Sequence, residues 1–141
     1  MAKTFFILLL TAILILVYNG CRVDIIEPNN PAGNKNFPVK EGKENYFNIA
    51  INAEKLTTEM NFDTYFSSEQ NMISLKVNDK QSGSCTLKII STENKILYSS
   101  IIEISEINIR QRINQGIPSK VRLTCDNFTG KIKLEINKSN F

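Results

Sequence analysis

Apolar and polar residues alternate with a period of two along most of the chain after residue 45. Phe47, Ile49 and Ile51 occupy alternate positions, and later segments repeat this spacing. The later inward sets are Met60, Phe62, Thr64 and Phe66; Ile73, Leu75 and Val77; Cys85, Leu87 and Ile89; Ile102 and Ile104; Val121, Leu123 and Cys125; and Ile132, Leu134 and Ile136. Successive side chains of a strand point to opposite faces, so this period predicts strands with one buried and one solvated face.

Short polar segments separate these sets. Asn78-Asp79, Ser82-Gly83-Ser84 and Glu93-Asn94 are rich in turn-forming residues, and each is expected to end one strand before the next begins. Seven or eight short strands at this spacing predict an all-β fold, an antiparallel β-sandwich over residues 46–141.

Residues 105–116 fit two interpretations. Ile109 and Ile113 would line one side of a short helix, and the order of acidic before basic residues suits the helix dipole. Isoleucine is a mediocre helix former, however, and Ile107 and Ile109 also alternate as in a strand. We expect a strand and keep the helix as the alternative.

The N-terminal segment departs from the alternating pattern. A continuous apolar run of about 13 residues extends from Phe5 to Val17, short of the ~20 residues that a membrane-spanning helix needs. Lys3 precedes the run, and the small residue Gly20 follows it directly before Cys21. This order is typical of a secretory signal peptide, here residues 1–20.

The order Tyr18-Asn19-Gly20-Cys21 resembles the lipobox of bacterial lipoproteins, although that motif usually has Leu where this chain has Tyr18 and Ala, Ser or Thr where it has Asn19. The resemblance implies that Cys21 is lipidated and anchors the protein in the bacterial cell envelope. The anchoring membrane would be the outer membrane or cell surface, with the inner membrane as an alternative. Ordinary secretion with Cys21 as a plain thiol, and a retained transmembrane anchor, are the other interpretations.

Residues 21–45 combine Pro, Asn and Gly with few apolar side chains, notably between Glu27 and Pro38. Such a composition buries too little surface to offset chain entropy. We therefore expect a flexible tether between the lipidated Cys21 and the sandwich.

Composition narrows the chemistry of the chain. The net charge of +3 is too small to indicate a nucleic-acid partner. Because the chain has no His, it lacks Ser–His and Cys–His nucleophile pairs and His-ligated metals. Its carboxylates show no spacing that implies convergence. We predict no catalytic residue, no metal site and no cofactor.

Two cysteines remain once Cys21 is assigned to lipid. Cys85 and Cys125 each share the inward phase of their strand, and an even pair in an oxidising compartment predicts a disulfide. Two buried free thiols are the alternative. A redox-active pair is disfavoured because the CxxC spacing is missing.

The stretch from Cys85 to Ile136 contains a recognisable unit. Residues 86–98 place a turn and a charged residue between two strands, and residues 116–132 form a closing hairpin. These units resemble small Ig-like domains of secreted Bacteroidetes proteins, but Ile117-Pro118-Ser119-Lys120 replaces their usual Gly-Xaa-Tyr. The resemblance implies an Ig-like or transthyretin-like sandwich and transfers no catalytic residue.

Five residues are candidates for a binding surface. Four of them are cations on the outward phases of their strands: Lys88, Arg122, Lys131 and Lys133. They would form a basic stripe if their strands are neighbours. Tyr65 lies on the phase opposite to the inward set of its own segment and is the fifth candidate. A solvated sheet face and ordinary edge packing are the alternatives.

The sequence therefore predicts a noncatalytic, lipid-anchored envelope protein. Its membrane contact is the N-terminal lipid, and its sandwich binds a protein partner in the envelope or serves in a structural assembly. The alternative is an immunity or inhibitor-type lipoprotein that neutralises a toxin or hydrolase, and an enzyme is disfavoured.

Overall fold

The computed structural model describes residues 34–139. These residues form six strands: β1 (Val39–Lys43), β2 (Tyr46–Asp63), β3 (Asn71–Ser91), β4 (Ile96–Ile102), β5 (Ile107–Ile113) and β6 (Pro118–Lys138). The sheet is antiparallel in the order β1-β2-β6-β3-β4, and β5 also pairs with β3. The predicted all-β class is confirmed, and β5 is the strand that we favoured over a helix. The predicted signal peptide, Cys21 and the tether before residue 34 lie outside the described residues.

The three central strands are unusually long and are bent. β2 has 18 residues, and β3 and β6 have 21 each. Phe47 and Phe62 both belong to β2, and an unbent strand would hold them ~50 Å apart at ~3.3 Å per residue. Their ring centroids are only 6.3 Å apart. The strand therefore doubles back, and the two ends of the sheet face each other.

The bend divides the sheet into the two layers of the sandwich. The five-stranded half contains β1, β5 and residues 46–53, 71–78 and 130–138 of the long strands. The four-stranded half contains β4 and residues 56–63, 82–91 and 118–128.

The inward faces of both halves pack into one hydrophobic core. Its fully buried members include Phe47, Ile51, Ile73, Leu75, Leu87, Ile89, Leu123, Phe128, Leu134 and Ile136. The predicted inward sets are thus largely confirmed. Met60 and Phe66 are only partly buried. Ile104 is wrongly predicted, because it lies beyond the end of β4 and is exposed.

The bends occur where we expected turns. β3 continues through Asn78-Asp79 and through Ser82–Ser84, while its register on β6 shifts between Asn78 and Ser82. Backbone φ is positive at Asp79 (53°) and Gly83 (68°), as bulged strands require. Turn-forming residues here bend a strand without ending it, which is why the predicted seven or eight short strands correspond to six observed ones.

Side chains supply hydrogen bonds at the bend. Thr129 Oγ1 accepts from the backbone N–H of Lys55 at 2.9 Å, and Thr57 Oγ1 accepts from that of Asn127 at 2.9 Å. Ser82 Oγ donates to the Asn127 carbonyl at 3.2 Å. A bulge removes ladder partners, and these hydroxyls keep the freed backbone groups satisfied.

The sandwich begins earlier than predicted. β1 lies within residues 21–45, which we assigned to the tether, and it pairs with β2 from Val39–Ala50 to Lys43–Tyr46. Every residue of β1 is exposed. The segment joins the fold by backbone pairing at the sheet edge and contributes no side chain to the buried core. Its composition therefore resembles that of a tether.

Two residues before β1 also contact the sheet. Asn36 Nδ2 donates to the Glu54 carbonyl at 3.0 Å, and Asn36 Oδ1 accepts from the Glu54 N–H at 2.8 Å. Lys35 forms an ion pair with the Glu54 carboxylate. The predicted boundary at residue 45 is therefore wrong, and the folded part extends back at least to Lys35.

Candidate binding surface

Cys85 and Cys125 form the predicted disulfide. They lie directly opposite each other on β3 and β6, with Cα atoms 4.1 Å apart. Both are buried in the four-stranded half. The bond ties the two central strands of that half and is structural.

The structure separates the five predicted surface residues into three places. Lys88 and Arg122 face each other on the outer side of the four-stranded half. Lys131 and Lys133 lie on the outer side of the five-stranded half, across the bend. Tyr65 lies in the loop after β2 and is 63% exposed. The four cations therefore do not form one stripe, although each lies on an outward face.

The outer face of the five-stranded half concentrates positive charge. Its cations are Lys43, Lys76, Arg110, Arg112, Lys131 and Lys133, and its carboxylates are Glu41, Asp79 and Glu135. We call this surface the basic face. It contains twice as many cations as carboxylates, because the outward phase of β3, β5 and β6 is rich in Lys and Arg.

Only part of this charge is neutralised within the fold. Lys131 Nζ donates to Asp79 Oδ2 at 2.6 Å, and Lys43 Nζ lies 3.3 Å from Glu41 Oε1. None of the ion pairs among residues 34–139 involves four of the cations, namely Lys76, Arg110, Arg112 and Lys133.

Lys76 and Lys133 are the centre of the basic face. They occupy directly opposite positions on β3 and β6. Like charges directly opposite on neighbouring strands are destabilising. Lys133 is opposite Ala50 on its other side, and Lys76 is opposite Asn108, so neither of these neighbours supplies a countercharge. An approaching anion would relieve this repulsion.

Tyr46 adds an aromatic ring near the β1 edge of the same face. Lys43 Nζ lies 4.8 Å from the centroid of its ring, within the range of a cation–π contact. Burial raises the pKa of Tyr46 above its ordinary value of 10.0, and the charges of Glu135 and Glu41 raise it further. The phenol therefore stays protonated at neutral pH and keeps its capacity to donate a hydrogen bond.

An open cavity of about 360 Å³ borders the basic face at the bend. Lys131 and Asp79 line it together with Lys80, Thr129 and other bend residues. Gly130 also lines it, and a Cβ at this position would lie 2.9 Å from Lys80 Cα. Glycine thus permits the close backbone approach that shapes this depression.

The outer face of the four-stranded half has a balanced charge, and we call it the balanced face. Its cations are Lys88, Lys120 and Arg122, and its carboxylates are Glu59, Asp63 and Asp126. Arg122 Nε donates to Asn61 Oδ1 at 2.9 Å and lies 3.6 Å from Glu59 Oε1. Two of the predicted stripe residues thus belong to a locally compensated surface.

The sequence argument missed four cations of the basic face: Lys43, which lies on the unpredicted strand β1, and Lys76, Arg110 and Arg112. Lys76, Arg110 and Arg112 alternate with the inward sets of β3 and β5, so their outward phase was available from the pattern. Their proximity to Lys133 depends on β3 pairing with both β5 and β6, which the pattern does not reveal.

Within residues 34–139, no cluster of three or more His, Cys, Asp or Glu side chains is arranged to hold a metal ion. The same residues contain no helix that is long and apolar enough to cross a membrane.

No family model matches the chain, and no curated protein matches its sequence. One solved structure that it resembles is described as a Bacillus endospore appendage from a family of disulfide-linked pili. The TM-score is 0.43 at 14% sequence identity, and the match covers 77% of this chain and 95% of the other. Similarity at this level does not determine what this chain does.

Proposed function

We propose that the chain is a noncatalytic lipoprotein of the bacterial envelope whose sandwich binds the acidic surface of an envelope protein through the basic face. The observation that carries this proposal is the Lys76–Lys133 pair, two cations that lie opposite each other and take part in none of the ion pairs among residues 34–139. A fold gains nothing from such a pair by itself, so its benefit is expected in a complex.

The geometry of the face suits a protein partner. Neighbouring strands lie ~4.8 Å apart and alternate residues ~6.6 Å apart along a strand, so the rigid sheet presents its cations at fixed intervals. Arg110 and Arg112 offer planar guanidinium groups that bind carboxylates with two parallel hydrogen bonds. Complementary charge accelerates association and fixes orientation.

The anchor is the second part of the proposal and rests on Cys21. Each buried acyl methylene contributes ~0.8 kcal/mol, and two or more chains give stable attachment. The chain from Cys21 enters the sandwich at β1, an edge of the five-stranded half. Labelling cells with a clickable fatty acid should mark the wild type and leave Cys21→Ser unmarked, whereas equal labelling would exclude the anchor.

Photocrosslinking from two positions on β3 tests the binding face. Ser74 lies opposite Arg110 and Glu135 on the basic face, and Thr86 lies opposite Ile101 and Thr124 on the balanced face. Both side chains are half-buried and point outward, so the two positions form a matched pair for a photoreactive residue.

In intact envelopes we expect a discrete adduct with a different protein from position 74 and no adduct with a different protein from position 86. Lys76→Glu with Lys133→Glu should abolish that adduct because the face loses its positive centre. Equal adducts with a different protein from both positions would contradict the proposal. An adduct with a toxin or hydrolase would favour the inhibitor-type alternative.

A further inference from the structure

The sandwich described by residues 34–139 has four strand edges. β1 and β5 bound the five-stranded half, while β4 and residues 56–63 of β2 bound the four-stranded half. Each edge strand presents unpaired N–H and C=O groups, and proteins commonly protect such edges with charged side chains. The β1 edge contains Lys40, Glu41 and Lys43. The β5 edge contains Arg110 and Arg112, and the β2 edge contains Glu59 and Asp63.

β4 is the unprotected edge among these four. Its sequence, Ile-Leu-Tyr-Ser-Ser-Ile-Ile, contains no charge and no proline. Ile96 and Ile101 are 58% and 62% exposed on it. Ile90 of β3 lies opposite Ile96 and extends the apolar strip onto the outer face of the four-stranded half. Uncharged edges with exposed β-branched residues are templates for strand addition.

We propose that β4 pairs antiparallel with β4 of a second copy of this chain, so that the protein forms a two-fold symmetric dimer. In a two-fold interface the same patch of both copies meets itself, so a charged edge would place like charges together. Among these four edges, β4 is the one without a charged residue, so pairing with its own copy brings no like charges together.

The apolar ends of β4 are also symmetric about its middle residue, Ser99. Apolar pairs, Ile96-Leu97 and Ile101-Ile102, flank the three residues Tyr98, Ser99 and Ser100. In an antiparallel pair the apolar end of each strand meets the apolar end of its copy, and the serines meet near the axis. The two four-stranded halves then join as one continuous eight-stranded sheet.

This dimer leaves the basic face free. β4 belongs to the four-stranded half and the basic face to the other layer, so each dimer presents two basic faces. Two linked sites raise the apparent affinity for an extended or clustered partner without a new contact. The dimer does not depend on the proposed function of that face, and the two are tested separately.

Sedimentation velocity of the mature chain with Cys21→Ser tests the association in solution. We expect a dimer, and we expect Ile101→Lys to raise the dissociation constant roughly tenfold or more, because it places an uncompensated charge in the apolar contact between the strand ends. Ile101 points to solvent in the monomer, so the core is untouched. Val39→Lys changes an exposed apolar residue on the β1 edge and should leave the dimer intact.

Disulfide trapping tests the same pairing in the envelope with the natural anchor present. Ser99→Cys lies in the middle of β4 and should give a crosslinked dimer on a non-reducing gel. Asn108→Cys on the outer side of β5 should remain monomeric. A chain that stays monomeric in both assays would overturn the dimer proposal, and so would association that Ile101→Lys does not weaken. Open-ended oligomers, or crosslinking of Ser99→Cys to a different protein, would also overturn it.

Discussion

The two halves of the sandwich are built from the same three long strands, yet they present different surfaces. The five-stranded half carries the basic face, with Lys76 opposite Lys133 at its centre. The four-stranded half balances its charges, holds the disulfide in its core and ends at the apolar edge β4. Strand propensity cannot explain this difference, because β2, β3 and β6 run through both halves. The bend turns one alternating pattern into two separate outward faces, and each face can then carry its own chemistry.

Removal of the disulfide should have the largest effect. Cys85 and Cys125 are separated by 40 positions, for which the chain-entropy model gives about 4 kcal/mol. We expect the double variant to alanine to lose a large part of its free energy of unfolding, measured by urea denaturation. Hydrogen exchange should rise more in residues 82–91 than in residues 71–78, because only the former lie in the cross-linked half. Unchanged stability together with two free thiols in the wild type would contradict the disulfide.

Gly83→Ala should be the next most damaging change because it affects the joint between the halves. Gly83 has a φ of 68°, and a Cβ there would lie 2.2 Å from the Asn127 carbonyl oxygen. The strained backbone and the clash together should cost about 3 kcal/mol. Gly42→Ala is the matched control, since its Cβ would make only an ordinary contact 3.8 Å from Phe47. Equal melting temperatures for the two variants would show that the bend tolerates a side chain.

Charge reversal should reveal a smaller and opposite effect on the basic face. Lys133→Glu places a carboxylate opposite Lys76, and such a cross-strand pair should stabilise the fold by about 0.5 kcal/mol at low salt. Lys88→Glu on the balanced face should gain less, because Arg122 already contacts Glu59 and Asn61. High salt should remove the gain. If Lys133→Glu is no more stable than the wild type in low salt, the central repulsion is unimportant.

The smallest effect concerns the ion pair before β1. The hydrogen bond and charge of Lys35 lower the pKa of Glu54 below its ordinary value of 4.5. A folded-state pKa below the unfolded one gives stabilisation that is present above the unfolded value and lost as the pH falls through the folded value. We expect the Asn36 N–H, which donates to the Asn52 carbonyl at 2.8 Å, to lose some exchange protection as the pH falls through the lowered pKa of Glu54. Lys35→Ala should show weaker pH dependence, and an identical profile would mean that the exposed pair contributes nothing.

The sequence predicted individual strands better than their connections. The inward sets of β2, β3 and β6, the strand character of β5 and the Cys85–Cys125 bond followed from phase and residue type. β1 escaped prediction because its stability comes from pairing with β2 and its side chains are all exposed. Gly83 was recognised as turn-forming, but its positive φ serves a bulge inside β3. A glycine favours positive φ in a turn between two strands and in a bulge within one strand alike. Only the pairing with the neighbouring strand distinguishes the two.

The prediction of the candidate surface was limited in the same way, because the sequence pattern does not reveal which strands pair. Lys131 and Lys133 were identified as outward cations, but Lys88 and Arg122 proved to lie on the other layer. The sequence by itself determined which side chains are buried and which face solvent, because the two-residue period of a strand is a local property of the backbone. Tertiary structure alone decided which solvent-facing residues are neighbours, since that depends on where the long strands bend and on which distant segments pair.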